Sequence, residues 1–151
     1  MNNCMIGDNV KIINPVNIYD CILKDNVFIG PFVEIQSGVI IGKDSRISSH
    51  SFICSGVTIG DNCFIGHGVV FTNDKFDNIN DEKWIQQNTT IGNNVKIGSN
   101  TTLLPVNIGN NVIIGAGTVV TKDISNNIIV CGNPARIISK SRKTNSFNNI
   151  F

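Results

Sequence analysis

Apolar anchors step through this chain at six-residue intervals: Ile6, Ile12, Ile18, Leu23, Ile29, Ile35, Ile41, Ile47, Ile53, Ile59, Ile65, Phe71, Ile91, Ile97, Leu103, Ile108, Ile114 and Val120. A unit of six residues is too short to bury its own apolar side, so successive units must stack on one another as solenoid repeats do. Counting each anchor as position i, Gly recurs at i+1, as in Gly7, Gly60 and Gly115. Small residues recur at i+4, among them Val10, Val57, Cys63, Val69, Val95, Val112 and Thr118. Position i+3 is mostly Asn, Asp or Gly: Asn9, Asn26, Gly38, Asp44, Gly56, Asn62, Asn94, Asn100, Asn111 and Gly117 are examples. These residue types tolerate positive φ. The pattern predicts a short strand with one large and one small inward side chain, then a left-handed corner. Three such units close a triangular coil, and coils stack with parallel strands about 4.8 Å apart. The anchors fill about six coils.

The ladder is interrupted at one kind of place. Two steps shrink to five residues, Ile18 to Leu23 and Leu103 to Ile108, and one expands by an insertion spanning about Lys75 to Asn88. All three fall between the third unit of one coil and the first unit of the next, so a single corner of the prism carries them. The insertion holds the sole Trp, Trp84, in a polar stretch that has no core of its own. Surface loops of this length are commonly functional. After Val120 the period fades, and the basic stretch from residue 139 to 151 is read as a tail, either a short helix or frayed. The division is a repeat domain over 1–138, with the loop at about 75–88, followed by that tail.

Twelve Lys plus Arg oppose eleven Asp plus Glu, for a net charge of +1. Such a balance argues against a nucleic-acid groove or a polybasic membrane surface and favours small molecules or further copies of the chain as partners. No apolar run is long enough to span a membrane, and the N-terminus lacks the pattern of a signal peptide, so the expected location is cytoplasmic. Five cysteines without a CxxC pair suggest neither a disulfide framework nor a zinc site.

The repeat resembles that of the hexapeptide-repeat acyltransferases, and the resemblance covers residues 4 to 137. It implies an all-β fold, a left-handed parallel β-helix. The handedness comes from the resemblance, since parallel crossovers are ordinarily right-handed. IGAGTVVTKD (Ile114 to Asp123) followed by GNPARII (Gly132 to Ile138) is similar to the family's acyl-coenzyme A signature. VNIYDCIL (16–23), GPFVEIQ (30–36) and the segment from Ser48 to Asp74 resemble the N-acetyltransferases of nucleotide-linked 3-amino sugars, which serve surface polysaccharide (lipopolysaccharide O-antigen) biosynthesis. The acceptors implied are UDP-2-acetamido-3-amino-2,3-dideoxyglucuronate or a dTDP-3-amino-3,6-dideoxyhexose; the insertion is shorter than the glucuronate branch leads one to expect. The family further implies acetyl-CoA as co-substrate, no metal, and a homotrimer with sites in the grooves between prisms. There Trp84 on the loop would reach the acceptor of an adjacent subunit.

Acetyl transfer from a thioester to an amine needs a neutral amine, an oxyanion donor and alignment of both substrates. The two histidines, His50 and His67, both follow second-unit strands of adjacent coils, which places them near one corner. His67 is the favoured base. Asn73 is then a candidate to orient the amine or sugar hydroxyls, and Asp74 to fix an imidazole tautomer or attract the ammonium. The plain alternatives are that His50 is a corner residue, that Asp74 is a turn cap, and that no side chain acts as base. The coenzyme residues carried over by resemblance are Ser99, Gly115, Ala116, Thr121, Lys122 and Arg136, with backbone groups pairing with the pantetheine arm and cations with phosphates. Residues 75 to 88 lack the histidine that sugar O-acetyltransferases of this fold carry in the loop, which favours an amine acceptor, the better nucleophile. A sugar O-acetyltransferase remains the enzyme alternative, and a structural solenoid the non-enzymatic one. A zinc carbonic anhydrase needs three histidines, and the chain has two.

Overall fold

The structure is a computed structural model, and it describes residues 1–77, 80 and 83–140. The remaining loop positions and residues 141–151 lie outside the described residues, and with them most of the expected tail. The described residues form a left-handed parallel β-helix built from strands mostly two residues long. Three faces run the length of the prism. The first face stacks Met5–Ile6, Ile22–Leu23, Ile40–Ile41, Val57–Ile59, Thr89–Ile91 and Asn107–Ile108. The second stacks Lys11–Ile12, Phe28–Ile29, Arg46–Ile47, Phe64–Ile65, Lys96–Ile97 and Ile113–Ile114, then continues with Ile128–Cys131 and Arg136–Lys140. The third stacks Asn17–Ile18, Glu34–Ile35, Phe52–Ile53, Val70–Phe71, Thr102–Leu103 and Val119–Val120.

Register makes the ladder into a core. Leu23, Ile41, Ile59, Ile91 and Ile108 stand over one another on the first face, and from Ile18 to Val120 every anchor is at most 3% exposed. The small residues Val57, Cys63, Val69, Val95, Val112 and Thr118 fill the space beside them. The first two anchors are the exception. Ile6 is 41% exposed and Ile12 half-buried, because only one neighbouring coil covers them.

All ten i+3 residues named from the sequence are left-handed, with φ between 53° and 88°. That geometry aims the N–H along the prism axis at a carbonyl of the preceding coil, as in Asn26 N–H to Asp8 O (2.8 Å) and Asn94 N–H to Asp61 O (3.0 Å). At the corner between the first and second faces the asparagine side chains form a ladder in the opposite direction, each donating to the following coil, as Asn62 Nδ2 does to Asn94 Oδ1 at 2.7 Å. The i+1 glycine of that corner has no room for a side chain: a Cβ on Gly42 would overlap the Gly60 carbonyl. Buried polar groups are paired. Ser45 Oγ donates to Gly60 O and accepts from Cys63 N–H, both at 2.9 Å.

Both shortened steps and the loop lie at the corner between the third and first faces, as the spacing predicts. The end of the prism differs from the sequence expectation. Beyond the six coils, Ile124 bridges Ile108 and strand Ile128–Cys131 pairs with Ile113–Ile114, adding a partial seventh coil. Arg136–Lys140 then folds back antiparallel on it, so Ser139 and Lys140, assigned to the tail by pattern, belong to a strand.

The five cysteines are free thiols. Burial, then a hydrogen bond from its thiol to Cys4 Sγ (3.4 Å), pushes Cys21 up to about 12, and burial pushes Cys54 up to about 11.

Two outcomes follow for stability. In urea denaturation Ile65→Ala is expected to cost about 2–5 kcal/mol, as for other fully buried truncations, and Ile6→Ala less than about 1 kcal/mol; equal costs would contradict the stacking order. The folded chain keeps the Cys21 and Cys54 protons to higher pH than the unfolded chain, whose thiols titrate near 9.0. Their contribution is therefore fully present below pH 9 and is lost as pH rises towards 11 to 12. Cys54→Val should flatten the decline in unfolding free energy measured across that window.

Candidate active site

The corner between the second and third faces collects both histidines. Its i+2 positions, read down the prism, are Asn14, Pro31, Ser49, His67, Ser99 and Ala116, and its i+3 positions are Pro15, Phe32, His50, Gly68, Asn100 and Gly117. His67 is exposed and central. Its Nδ1 lies 2.8 Å from Ser49 Oγ in the coil above. Its backbone N–H donates to Ser99 Oγ in the coil below at 3.3 Å, and its carbonyl accepts from Asn100 N–H at 2.8 Å. Ser49, His67 and Ser99 thus form one hydrogen-bonded column, with exposed Ala116 one coil further on.

Ser49 was missed from the sequence as a site residue. The signal was its 18-residue offset from His67, one coil. The other histidine has a local explanation. His50 sits at φ 62°, a left-handed corner residue, and its ring stacks on Phe32 with centroids 4.9 Å apart and planes 17° from parallel.

Asn73 and Asp74 lie at the next corner, where the loop leaves the prism. Asn73 Nδ2 donates to Ser55 O (3.3 Å), and its carbonyl accepts from Gln87 N–H (2.9 Å). Asp74 Oδ1 accepts from Phe76 N–H (2.6 Å) and Oδ2 from Trp84 Nε1–H (3.0 Å). Both carboxylate oxygens are therefore engaged in pinning the loop, and within one chain the imidazole's Nδ1 partner is Ser49. Trp84, 58% exposed, presents its ring at the surface from this corner.

Of the residues assigned to the coenzyme, Gly115 and Ala116 line one groove at the C-terminal end and Lys122 and Arg136 another, while Ser99 and Thr121 line neither. One, of about 400 Å³, runs beside the histidine corner between Phe64, Lys96, Gly98, Ile113, Gly115 and Ala116. The other, about 470 Å³, lies beyond it and brings Lys122 and Arg136 to one surface with Ser125, Ile128 and Ala135. Gly115 also serves the fold, because its buried carbonyl accepts from Thr118 Oγ1 at 2.6 Å and Thr101 Oγ1 at 3.2 Å. Thr121 follows the last third-face strand, half-buried next to Lys122. Among the described residues no group of three or more His, Cys, Asp or Glu is placed to hold a metal, and no helix is long and apolar enough to cross a membrane.

Family profiles match this repeat directly. The bacterial transferase hexapeptide (six repeats) matches residues 20–55, and the hexapeptide repeat of succinyl-transferase matches 38–73 and 88–122. The gap between the latter two segments is the loop. The chain belongs to the hexapeptide-repeat transferases. It is 33% identical over 138 residues to the bifunctional protein GlmU of Streptococcus suis, a match covering 80% of this chain and 28% of that protein. The chain spans less than a third of the length of the curated relatives it matches. Two solved structures share the fold. A mutant of AntD, an N-acyltransferase from Bacillus cereus in complex with dTDP and coenzyme A, has a TM-score of 0.81 at 22% identity, over 93% of this chain and 85% of that one. A mutant of perosamine N-acetyltransferase from Caulobacter crescentus, in complex with CoA and GDP-perosamine, has a TM-score of 0.67 at 20% identity, over 90% and 58%.

The loop anchor is testable by proteolysis. Removing the two hydrogen bonds to a charged acceptor with Asp74→Ala should speed tryptic cleavage at Lys75 and Lys83 by ~10-fold without lowering the thermal midpoint of the prism. An unchanged cleavage rate would show that Asp74 does not hold the loop.

Proposed function

We propose that this chain is an acetyl-CoA-dependent N-acetyltransferase acting on the 3-amino group of a nucleotide-linked amino sugar, with a UDP-linked aminoglucuronate and a dTDP-linked aminodeoxyhexose as the acceptors to try first. The reading places it in the cytoplasm, in the synthesis of surface polysaccharide, and assembles it as a homotrimer. The observation that carries it is the column Ser49, His67, Ser99, Ala116, in which a histidine with one partnered ring nitrogen stands directly above the residues of the coenzyme signature. AntD and perosamine N-acetyltransferase, solved with dTDP or a GDP-sugar beside coenzyme A, support the substrate class.

The coenzyme supplies an acetyl group activated as a thioester. Ser99 and Ala116 line its path, with the apolar groove alongside for the pantetheine arm, and Lys122 and Arg136 meet its phosphates. His67 acts on the acceptor. This role requires the tautomer in which Nδ1–H donates to Ser49 Oγ, which leaves the Nε2 lone pair to take the proton that the amine loses on attack. Ser49 is thus a positioning residue for the tautomer. In a trimer the loop of a neighbouring subunit, with Asp74 and Trp84, closes over this corner, and Asn73 and Asp74 then face the acceptor's amine and hydroxyls. His50 borders the acceptor side of the same corner.

Release of thiol from acetyl-CoA with a panel of UDP- and dTDP-linked 3-amino sugars tests the reading. Turnover with amino sugars is expected, and His67→Ala should lower kcat by ~10²–10⁴-fold, the range for a general base. A loss below about tenfold at pH above the amine pKa would assign the proton to solvent and remove His67 from the chemistry. Acetylation of hydroxyl acceptors alone would convert the reading to an O-acetyltransferase. A monomer mass in gel filtration would reject the intersubunit site.

A further inference from the structure

Phe32 is the residue at the histidine corner that folding does not explain. It occupies the left-handed i+3 position at φ 60°, where the following coils place His50, Gly68, Asn100 and Gly117. A bulky side chain is a genuine outlier in that conformation. Its ring recovers little by burial, because it is 57% exposed. What the ring does touch is His50, in a near-parallel stack. The two together present an exposed planar surface on the corner that carries His67.

The position of that surface along the prism says what it faces. Phe32 is in the second coil and His67 in the fourth, so the ring lies about 10 Å N-terminal to the imidazole at the parallel-strand spacing. The coenzyme signature lies on the other, C-terminal side of His67. An acceptor amine at His67 therefore has its remaining bulk directed towards Phe32, and the pyranose, diphosphate and pentose that separate the amine from the base cover that offset with a bend at the diphosphate. The group that arrives at Phe32 is the planar heterocycle at the far end of a nucleotide-linked sugar.

We propose that Phe32, backed by His50, is the stacking platform for the acceptor's nucleobase, and that it sets the acceptor's direction along the corner. The proposal rests on the nucleotide-sugar reading above. Aromatic faces stack on any base, so the platform recognises that a base is present, and choice among bases lies with other groups.

Calorimetric titration with UDP and dTDP, using inorganic pyrophosphate as the base-free control, tests it on Phe32→Tyr, Phe32→Leu and Phe32→Asn. Phe32→Tyr should bind as the parent does. Phe32→Leu and Phe32→Asn should bind both nucleotides ~10-fold to 100-fold more weakly, with pyrophosphate binding and the KM for acetyl-CoA unmoved and the KM for the nucleotide sugar raised. Asn suits the left-handed corner, so Phe32→Asn should melt no lower than the parent, which separates lost binding from lost folding. Parent-like nucleotide binding in both variants overturns the platform, as does a changed oligomeric mass accompanied by weaker acetyl-CoA binding, which would make Phe32 a subunit contact. A parent chain that binds neither nucleotide also overturns it, whereas acetylation of an unlinked amino sugar would leave acetyl transfer standing. Nucleotide binding that depends on Phe32, without acetylation of any amino sugar, would sink the enzymatic reading and keep the platform.

Discussion

In-register stacking of parallel coils is the constraint from which the rest of this structure follows. A strand of two residues has no stability alone, so each coil is held by backbone hydrogen bonds to the coils above and below and by its anchors standing on theirs. The left-handed corner makes this repeatable: it turns the chain and also directs an N–H to a carbonyl of the coil before it. Where stacking is one-sided, at Ile6 and Ile12, burial falls at once. Where backbones approach most closely, as at Gly42 over Gly60, only glycine fits.

A stacked frame converts sequence offset into distance, and the candidate site uses that conversion. Ser49 and His67 are 18 residues apart, and His67 and Ser99 are 32 apart, yet each pair is separated by a single coil. The difference is the loop, which leaves from another corner and re-enters without disturbing the register. The insertion can thus add Trp84, held by Asp74 at its neck, to the surface at little cost to the core, while the column that holds His67 stays continuous.

Much of the architecture could be read from residue types because the corners and the core impose local demands. Asn94 and Asn111 answer the demand for a left-handed backbone, and Val95 and Val112 the demand for a small inward side chain. The partial seventh coil escaped because it is entered by a step of only four residues, Val120 to Ile124, which breaks the count; Ile124 and Val130 then resume the six-residue spacing and pair with Ile108 and Ile114 of the coil before. Phe32 escaped for the opposite reason. It stands at a corner position but is the wrong residue for a corner, and its stack with His50 exists only once two coils are superposed. Asp74 is a candidate through its nearness to His67 in sequence; within one chain its carboxylate spans the neck of the loop, and Ser49 meets the imidazole.

By itself the sequence determined the solenoid, the left-handed corners, the corner that carries the loop and the membership of both histidines in another corner, since each is a property of a unit repeated in order. Only the tertiary structure decided which side chains meet across coils: Ser49 with His67, Phe32 with His50, Lys122 with Arg136 in one groove. The physical reason is that a period specifies where a residue falls within its coil, while contact between coils depends on side-chain length and direction after stacking.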